Sequence, residues 1–232
     1  MARRLKALIV ISVAAVAVSG SSARASEETF HCSVEPCTLT LQPDGTGTTA
    51  HQTLILKGET PAGSEASVSF TCDQLTGEAT VGTKTTAEAT FKNSNYEGCK
   101  GFGIELPRDF NSCSYRLTST NGVSGAGSQL HLECSVPGDG INLTVKGVTC
   151  IVITPFTASG VKYHNIFKRK IVTAEMQNLV LPVGVTELVN VGNPSCSAVY
   201  NFKTLKEVVF GTGNTNIIAE THAGGEASVW FE

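Results

Sequence analysis

Apolar and polar residues alternate one by one through most of this chain. Ala66, Val68, Phe70 and Cys72 fall on one side of a segment whose other side is Ser67, Ser69 and Thr71. Leu130, Leu132 and Cys134 interleave with His131 and Glu133, and Ile141, Leu143 and Val145 with Asn142, Thr144 and Lys146. A two-residue period sends neighbouring side chains to opposite faces of a pleated strand, so each segment predicts a strand with one buried face. The same reading, with the abundance of Thr, Val, Ile and Phe, places strands at 38–42, 52–57, 86–92, 102–106, 113–118, 149–154, 161–166, 170–176, 178–182, 197–202, 216–221 and 227–231. Helical periodicity is almost absent after residue 25.

Turn chemistry separates these segments. Pro43-Asp44-Gly45, Asn121-Gly122, Pro137-Gly138-Asp139-Gly140 and Gly192-Asn193-Pro194 are strong breakers. Many short strands at this spacing predict an all-β antiparallel fold, a sandwich or barrel. A β-sandwich, built as one unit or as two packed β domains, is the expected architecture. Seven of the eight cysteines precede Pro155 and only Cys196 follows it, which suggests a cysteine-rich domain at 26–154 and a smaller one at 155–232. Glu-Ala-Ser-Val-x-Phe occurs at Glu65–Phe70 and again at Glu226–Phe231, but the flanking residues do not continue the match, so it reads as chance rather than duplication.

The first 25 residues break the pattern. Arg3, Arg4 and Lys6 precede an apolar run from Ala7 to Val18 interrupted only by Ser12, and Ala23-Arg24-Ala25 is a small-x-small cleavage site. These are the parts of a secretory signal peptide, so a secreted, extracellular chain is expected. No later apolar stretch reaches the roughly 18 residues needed to span a bilayer, so no membrane span is expected in the mature chain. Losing the leader takes the basic residues from 17 to 13 against 20 acidic ones, and the formal charge from −3 to −7. That balance argues against nucleic acid, whose binding rests on neutralising phosphates. Lys168-Arg169-Lys170, the one basic cluster, reads as a solvated edge or turn.

An oxidising compartment changes how the cysteines are read. Cys32, Cys37, Cys72, Cys99, Cys113, Cys134, Cys150 and Cys196 form an even set, which predicts four disulfides. A hairpin of Cys113–Thr118 with Gln129–Ser135 would set Cys113 opposite Cys134 and Arg116 opposite His131. Cys32 and Cys37 bracket Ser-Val-Glu-Pro and could close a small turn. The remaining four cysteines leave three connectivities open, one of which, Cys150–Cys196 with Cys72–Cys99, would tie the two halves together. Paired zinc knuckles and Cys-x-x-Cys are both absent.

Candidate chemistry is sparse. None of the five histidines sits in a His-Glu-x-x-His motif; His131 reads as an outward strand residue and His222 as part of a turn. Gly122-Val123-Ser124-Gly125-Ala126 resembles a nucleophile elbow but falls in a hairpin loop. Mature Asp is limited to Asp44, Asp73, Asp109 and Asp139, and the first and last sit in Gly-rich turns where Asp serves local hydrogen bonding. No catalytic, metal or cofactor-binding residue is assigned, and no cofactor is expected. The aromatic residues that offer a ligand contact are Trp230, which faces opposite to Val229 and Phe231, and Tyr96 and Tyr163, which flank turns.

Several runs carry a resemblance. Phe70-Thr71-Cys72, Tyr96-Glu97-Gly98-Cys99-Lys100-Gly101-Phe102-Gly103, Asn111-Ser112-Cys113-Ser114-Tyr115, Thr149-Cys150-Ile151-Val152-Ile153-Thr154-Pro155 and Val229-Trp230-Phe231-Glu232 resemble a group of uncharacterised secreted, cysteine-paired β-rich proteins of Gram-positive soil bacteria. The resemblance implies a bacterial extracellular origin and no particular activity, since its motifs are structural cysteines and strand ends. Cys32 and Cys37 depart from its pattern. The function expected from all of this is a non-enzymatic extracellular or cell-surface interaction or adhesion module, whose partner is an extracellular protein or glycan. The alternatives are a secreted hydrolase with an unrecognised site and a glycan-binding module.

Overall fold

The computed structural model describes residues 28–43, 52–101, 104–105, 108–119, 128–167, 170–176, 178–182, 184–197, 200–212, 214–221 and 225–232. Within them the all-β class holds, with one helical turn at Pro194–Ser197. Eight strands close a barrel: Cys37–Pro43, Gln74–Val81, Glu88–Glu97, Cys113–Thr118, Ser128–Cys134, Phe156–Ile166, Ile171–Glu175 and Asn214–Thr221. Each pairs antiparallel with the next in that order, and the last pairs with the first through Cys37↔Thr221 to Pro43↔Thr215. A barrel thus stands where a sandwich was expected. The two share the same period-two pattern, and only the pairing of the first and last strands, which alternation does not encode, separates them. Strands on both sides of residue 154 share this barrel, the Ser128–Cys134 and Phe156–Ile166 ladder crossing that point.

Alternation decides which way each wall faces. Leu39, Leu41, Phe91, Leu117, Leu132 and Ile217 are buried in the interior. Thr38, Arg116, His131 and Glu133 occupy intervening positions, so polar side chains stand on the outer wall. Among the described residues no helix is long and apolar enough to cross a membrane.

Three smaller sheets surround the barrel. Val229–Phe231 pairs with Phe30–Cys32, which also pairs with Thr85–Thr86. This sheet caps one end: the Phe30 ring lies 4.9 Å from that of Tyr163 and 5.0 Å from that of Phe231, and the Phe231 ring lies 4.4 Å from that of Tyr163. Asn165 fastens the cap, donating from Nδ2 to the Phe231 carbonyl at 2.6 Å and accepting from the Phe231 N–H at 2.8 Å. A six-stranded sheet runs Leu179–Val180, Thr204–Thr212, Gln52–Glu59, Glu65–Cys72, Lys100–Gly101 and Ile104–Glu105. A four-stranded sheet runs Arg108–Asp109, Ile141–Val145, Val148–Ile153 and Thr186–Leu188. Both lie toward the barrel end away from the cap, where Tyr96 and Tyr115 meet them around a shared cavity.

All eight cysteines pair, as Cys32–Cys37, Cys72–Cys99, Cys113–Cys134 and Cys150–Cys196. The first joins the capping sheet to the barrel, and the second joins Glu65–Cys72 of the six-stranded sheet to the turn between Glu88–Glu97 and Lys100–Gly101. Cys113 faces Cys134 across the hairpin, with Arg116 opposite His131. The fourth ties the four-stranded sheet to the helical turn.

Two long strands and several short ones, Phe30–Cys32 and Thr186–Leu188 among them, escaped the periodicity, and one expected strand does not form among the described residues. Gln74–Val81 alternates, but two of its four buried residues are the small Gly77 and Ala79; a Cβ at Gly77 would meet Ser94 Oγ at 2.8 Å, so a larger residue there would force Ser94 to shift. Thr204–Thr212 carries two bulges, between Leu205 and Glu207 and between Phe210 and Thr212, which break its alternation. The strand expected at 197–202 instead begins in the helical turn, where Asn193 caps it by accepting from the Ser195 N–H at 2.9 Å. Tyr200 and Phe202 are buried there without a strand, and the Tyr200 hydroxyl donates to the Cys150 or Val189 carbonyl, each at 3.0 Å. The signal-peptide residues 1–25, Asp44, Gly122–Ala126, Lys168, Arg169 and His222 lie outside the described residues, and so do the side chains of Asp109 and Thr212.

Candidate functional site

The aromatic residues singled out from sequence are packed rather than presented. Tyr96 is 7% exposed and its hydroxyl lies 2.9 Å from that of Tyr115 inside the fold. Tyr163 sits in the capping cluster, its hydroxyl donating to the Thr118 carbonyl at 3.4 Å, and burial pushes its phenol above the ordinary value. Trp230 is half-buried and stacks on its cross-strand partner His31, with ring centres 5.2 Å apart and planes 10° from parallel. Trp230 and Tyr163 belong to the capped end and Tyr96 to the other, so the three do not converge.

His31, His131 and His164 sit on strand surfaces. On the outer barrel wall Arg116 donates from Nη1 to Glu88 at 3.0 Å and from Nε to Glu133 at 2.9 Å, and its Nη2 also contacts Glu133. Hydrogen bonding to Glu133 raises the Arg116 guanidinium, and the same bond lowers the Glu133 carboxyl. His131 lies beside this network, with Nδ1 2.8 Å from Thr157 Oγ1 and Nε2 3.4 Å from Thr118 Oγ1. Partial burial, then the Arg116 charge, lowers its pKa. Both ring nitrogens therefore have threonine partners, an arrangement that fixes the imidazole on the wall. His164 faces Glu175 at 2.9 Å, and His31 meets Thr29 Oγ1 at 2.9 Å. Among the described residues no histidine hydrogen-bonds a serine, and no three metal-ligating side chains cluster. Asp139, read as a turn residue, accepts from Ser112 Oγ at 2.7 Å.

A groove of about 560 Å³ on the barrel side is one surface where polar side chains converge, and its lining is mostly neutral. Lys92, Asn93, Ser94 and Asn95 form one bank, and Phe110 to Ser114 with Ser135 form the other. The first bank follows from a break in register: the Gln74–Val81 and Glu88–Glu97 pairing shifts between Thr76 and Glu78, and Asn93 takes a left-handed backbone at φ 51°. Asn tolerates that conformation better than most residues. Asn111 on the second bank does the same at φ 48°. Its Nδ2 donates to the Gly140 carbonyl at 2.7 Å, and Ser112 Oγ accepts from the Val136 N–H at 3.0 Å. These bonds anchor the second bank to the 136–140 turn, while Cys113–Cys134 crosslinks the strands beneath. The result is a preformed trough of amides and hydroxyls with Lys92 as its single ionisable lining residue.

Sequence reasoning missed this groove, because Asn and Ser in turns read as turn chemistry alone. The signal that could have found it is the density of Asn and Ser at 93–95 and 111–114 on either side of the disulfide hairpin. Comparison of the chain with protein-family models, with curated proteins and with solved structures returns no match.

Proposed function

We propose that this protein is a non-enzymatic interaction module that acts outside the cell, on a bacterial surface or in its surroundings, and holds its partner in the groove between residues 92–95 and 110–114. The supporting observation is the trough itself: neutral hydrogen-bonding side chains on two banks, each fixed by backbone geometry or a disulfide. Binding residues held on a rigid scaffold need little ordering when the partner arrives. The four disulfides suit an extracellular setting, where they persist. A neutral amide and hydroxyl lining also suits a glycan, whose hydroxyls both donate and accept, so one design tests glycan and protein partners together.

The test is co-sedimentation of the mature chain with isolated bacterial cell-wall sacculi, alongside a glycan array. Asn95→Arg and Ser114→Arg place bulk and charge in the trough without touching the core. Binding that weakens about tenfold or more in both variants supports the reading. Undiminished binding in both, or release of soluble fragments by the unaltered protein, would overturn it, the latter in favour of a hydrolase.

A further inference from the structure

The Glu88–Glu97 strand changes partners part-way along. Its ladder with Gln74–Val81 stops at Glu78↔Lys92, and its ladder with Cys113–Thr118 stops at Tyr115↔Phe91. The left-handed Asn93 sits beside both stops. The strand therefore parts from one neighbour on each side, and a trough opens in each gap. One is the groove between residues 92–95 and 110–114. The other, of about 440 Å³, runs between residues 78–83 and 86–93. Lys92 and Asn93 line both, so the two troughs join into one path over the outer barrel wall.

We propose that this path is the seat of an extended, unbranched, neutral polysaccharide, an inference that rests on the groove being the binding site. The added trough continues the chemistry of the first: Thr80, Thr83 and Thr90 bring hydroxyls that donate and accept. Its charges are matched, since Glu88 accepts from Arg116 Nη1 at 3.0 Å and Glu78 stands opposite Lys92 in the ladder. Neither lining holds a second cation that would attract a polyanion. Phe110 is the one aromatic residue lining either trough among the described residues, and at 7% exposed it gives a sugar little to stack on. Affinity must then come from hydrogen bonds spread along a chain. Each trough has the volume of a site for one small ligand, roughly 300–1,000 Å³, which a disaccharide occupies. Filling both takes about four sugars or more, and the second trough is engaged by a chain already bound, which multiplies affinity. A peptide strand needs one unbroken edge to pair with, whereas the open edge here switches sides beside Lys92.

The probes are cello-oligosaccharides and chito-oligosaccharides of two, four and six units, with hexameric oligogalacturonate as the anionic control. Affinities are read by isothermal titration calorimetry on the mature chain. In at least one neutral series the hexasaccharide should bind about tenfold or more tightly than its disaccharide, and by a similar factor more tightly than the anionic hexamer. Thr80→Arg and Gly82→Arg, which block the added trough, should bring the hexasaccharide down to disaccharide affinity. A Cβ at Gly82 meets nothing within 4 Å, so that variant keeps the test decisive should Thr80→Arg fail to fold. Affinity that does not rise with length, no binding in either neutral series, an equally bound anionic hexamer, or a hexasaccharide indifferent to both variants would overturn the inference. The groove reading fails separately. Sacculi bound undiminished by Asn95→Arg and Ser114→Arg overturn both, whereas sacculi lost in those variants with no gain from chain length overturn the extended path alone. A protein partner captured through the groove while both sugar series stay unbound does the same.

Discussion

Removing the Cys150–Cys196 disulfide should cost distinctly more stability than removing Cys32–Cys37. The first closes a loop with a sequence separation of 46, the second one of 5. Crosslinks restrict the unfolded chain in proportion to the logarithm of the loop they close, which gives about 4 kcal/mol for the long loop and about 2 kcal/mol for the short one. Packing losses do not blur the comparison, because all four sulfurs are buried: Cys150 is 1% exposed, Cys196 0%, Cys32 3% and Cys37 0%. Exchanging each pair for alanine therefore removes similar buried volume, and a difference of about 2 kcal/mol should survive subtraction. The assay is urea unfolding at neutral pH of the two double variants and the parent, followed by far-UV circular dichroism. Midpoint and slope are both needed, since loss of a crosslink expands the unfolded state and raises the slope. A Cys32/Cys37 variant that loses as much stability as the Cys150/Cys196 variant would refute the argument. It would mean that the disulfides act through native contacts rather than through the unfolded chain.

Other outcomes follow from single contacts. His131 has a pKa below its usual value near 6.5, so protonation favours the unfolded chain. Its contribution is intact above that value and is lost as pH falls through it toward the lower folded pKa. His131→Gln should then flatten the decline in unfolding free energy between about pH 7.5 and about pH 5.5, against a background set by Arg116, Glu88 and Glu133; an unchanged slope would count against the assigned environment. Gly58→Ala would drive a Cβ to 2.5 Å from the Thr204 carbonyl oxygen and 2.7 Å from the Phe202 ring. Overpacking of that kind costs about 1–3 kcal/mol and should lower the calorimetric Tm by roughly 2–10 °C, so an unaltered Tm would show that the strands part easily. Asn165→Ala removes both bonds to Phe231 and should raise amide exchange at 229–231 well before the barrel strands respond; unchanged exchange there would show that ring packing alone holds the cap.

Strand content was legible because half-buried strands write their alternation directly into the sequence. The hairpin of Cys113–Thr118 with Ser128–Cys134 follows from that alternation, its two inward cysteines falling opposite one another. Closure was not legible. The pairing of Cys37–Pro43 with Asn214–Thr221 links segments from opposite ends of the chain, and neither carries a mark of its partner. Small inward residues, such as Gly77 and Ala79, weaken the signal, and bulges that reset the period, as in Thr204–Thr212, interrupt it. The site was harder still. Trp230, Tyr96 and Tyr163 drew attention by residue type, yet each is held by neighbours distant in sequence or across a strand. The groove depends on two left-handed asparagines and a shift of register, features that appear only once strands are paired.

Barrel closure also sets an order in time. Six of the eight pairings join strands that precede Asn214–Thr221, and each can form as soon as its second strand is available. The other two, with Ile171–Glu175 and with Cys37–Pro43, must wait for Asn214–Thr221. Until then the sheet is open, with Cys37–Pro43 and Ile171–Glu175 as free edges that could recruit a strand from a neighbouring molecule. A chain cut short before residue 214 would keep those edges permanently, so truncation near the C-terminus should yield a sticky intermediate rather than a smaller folded protein.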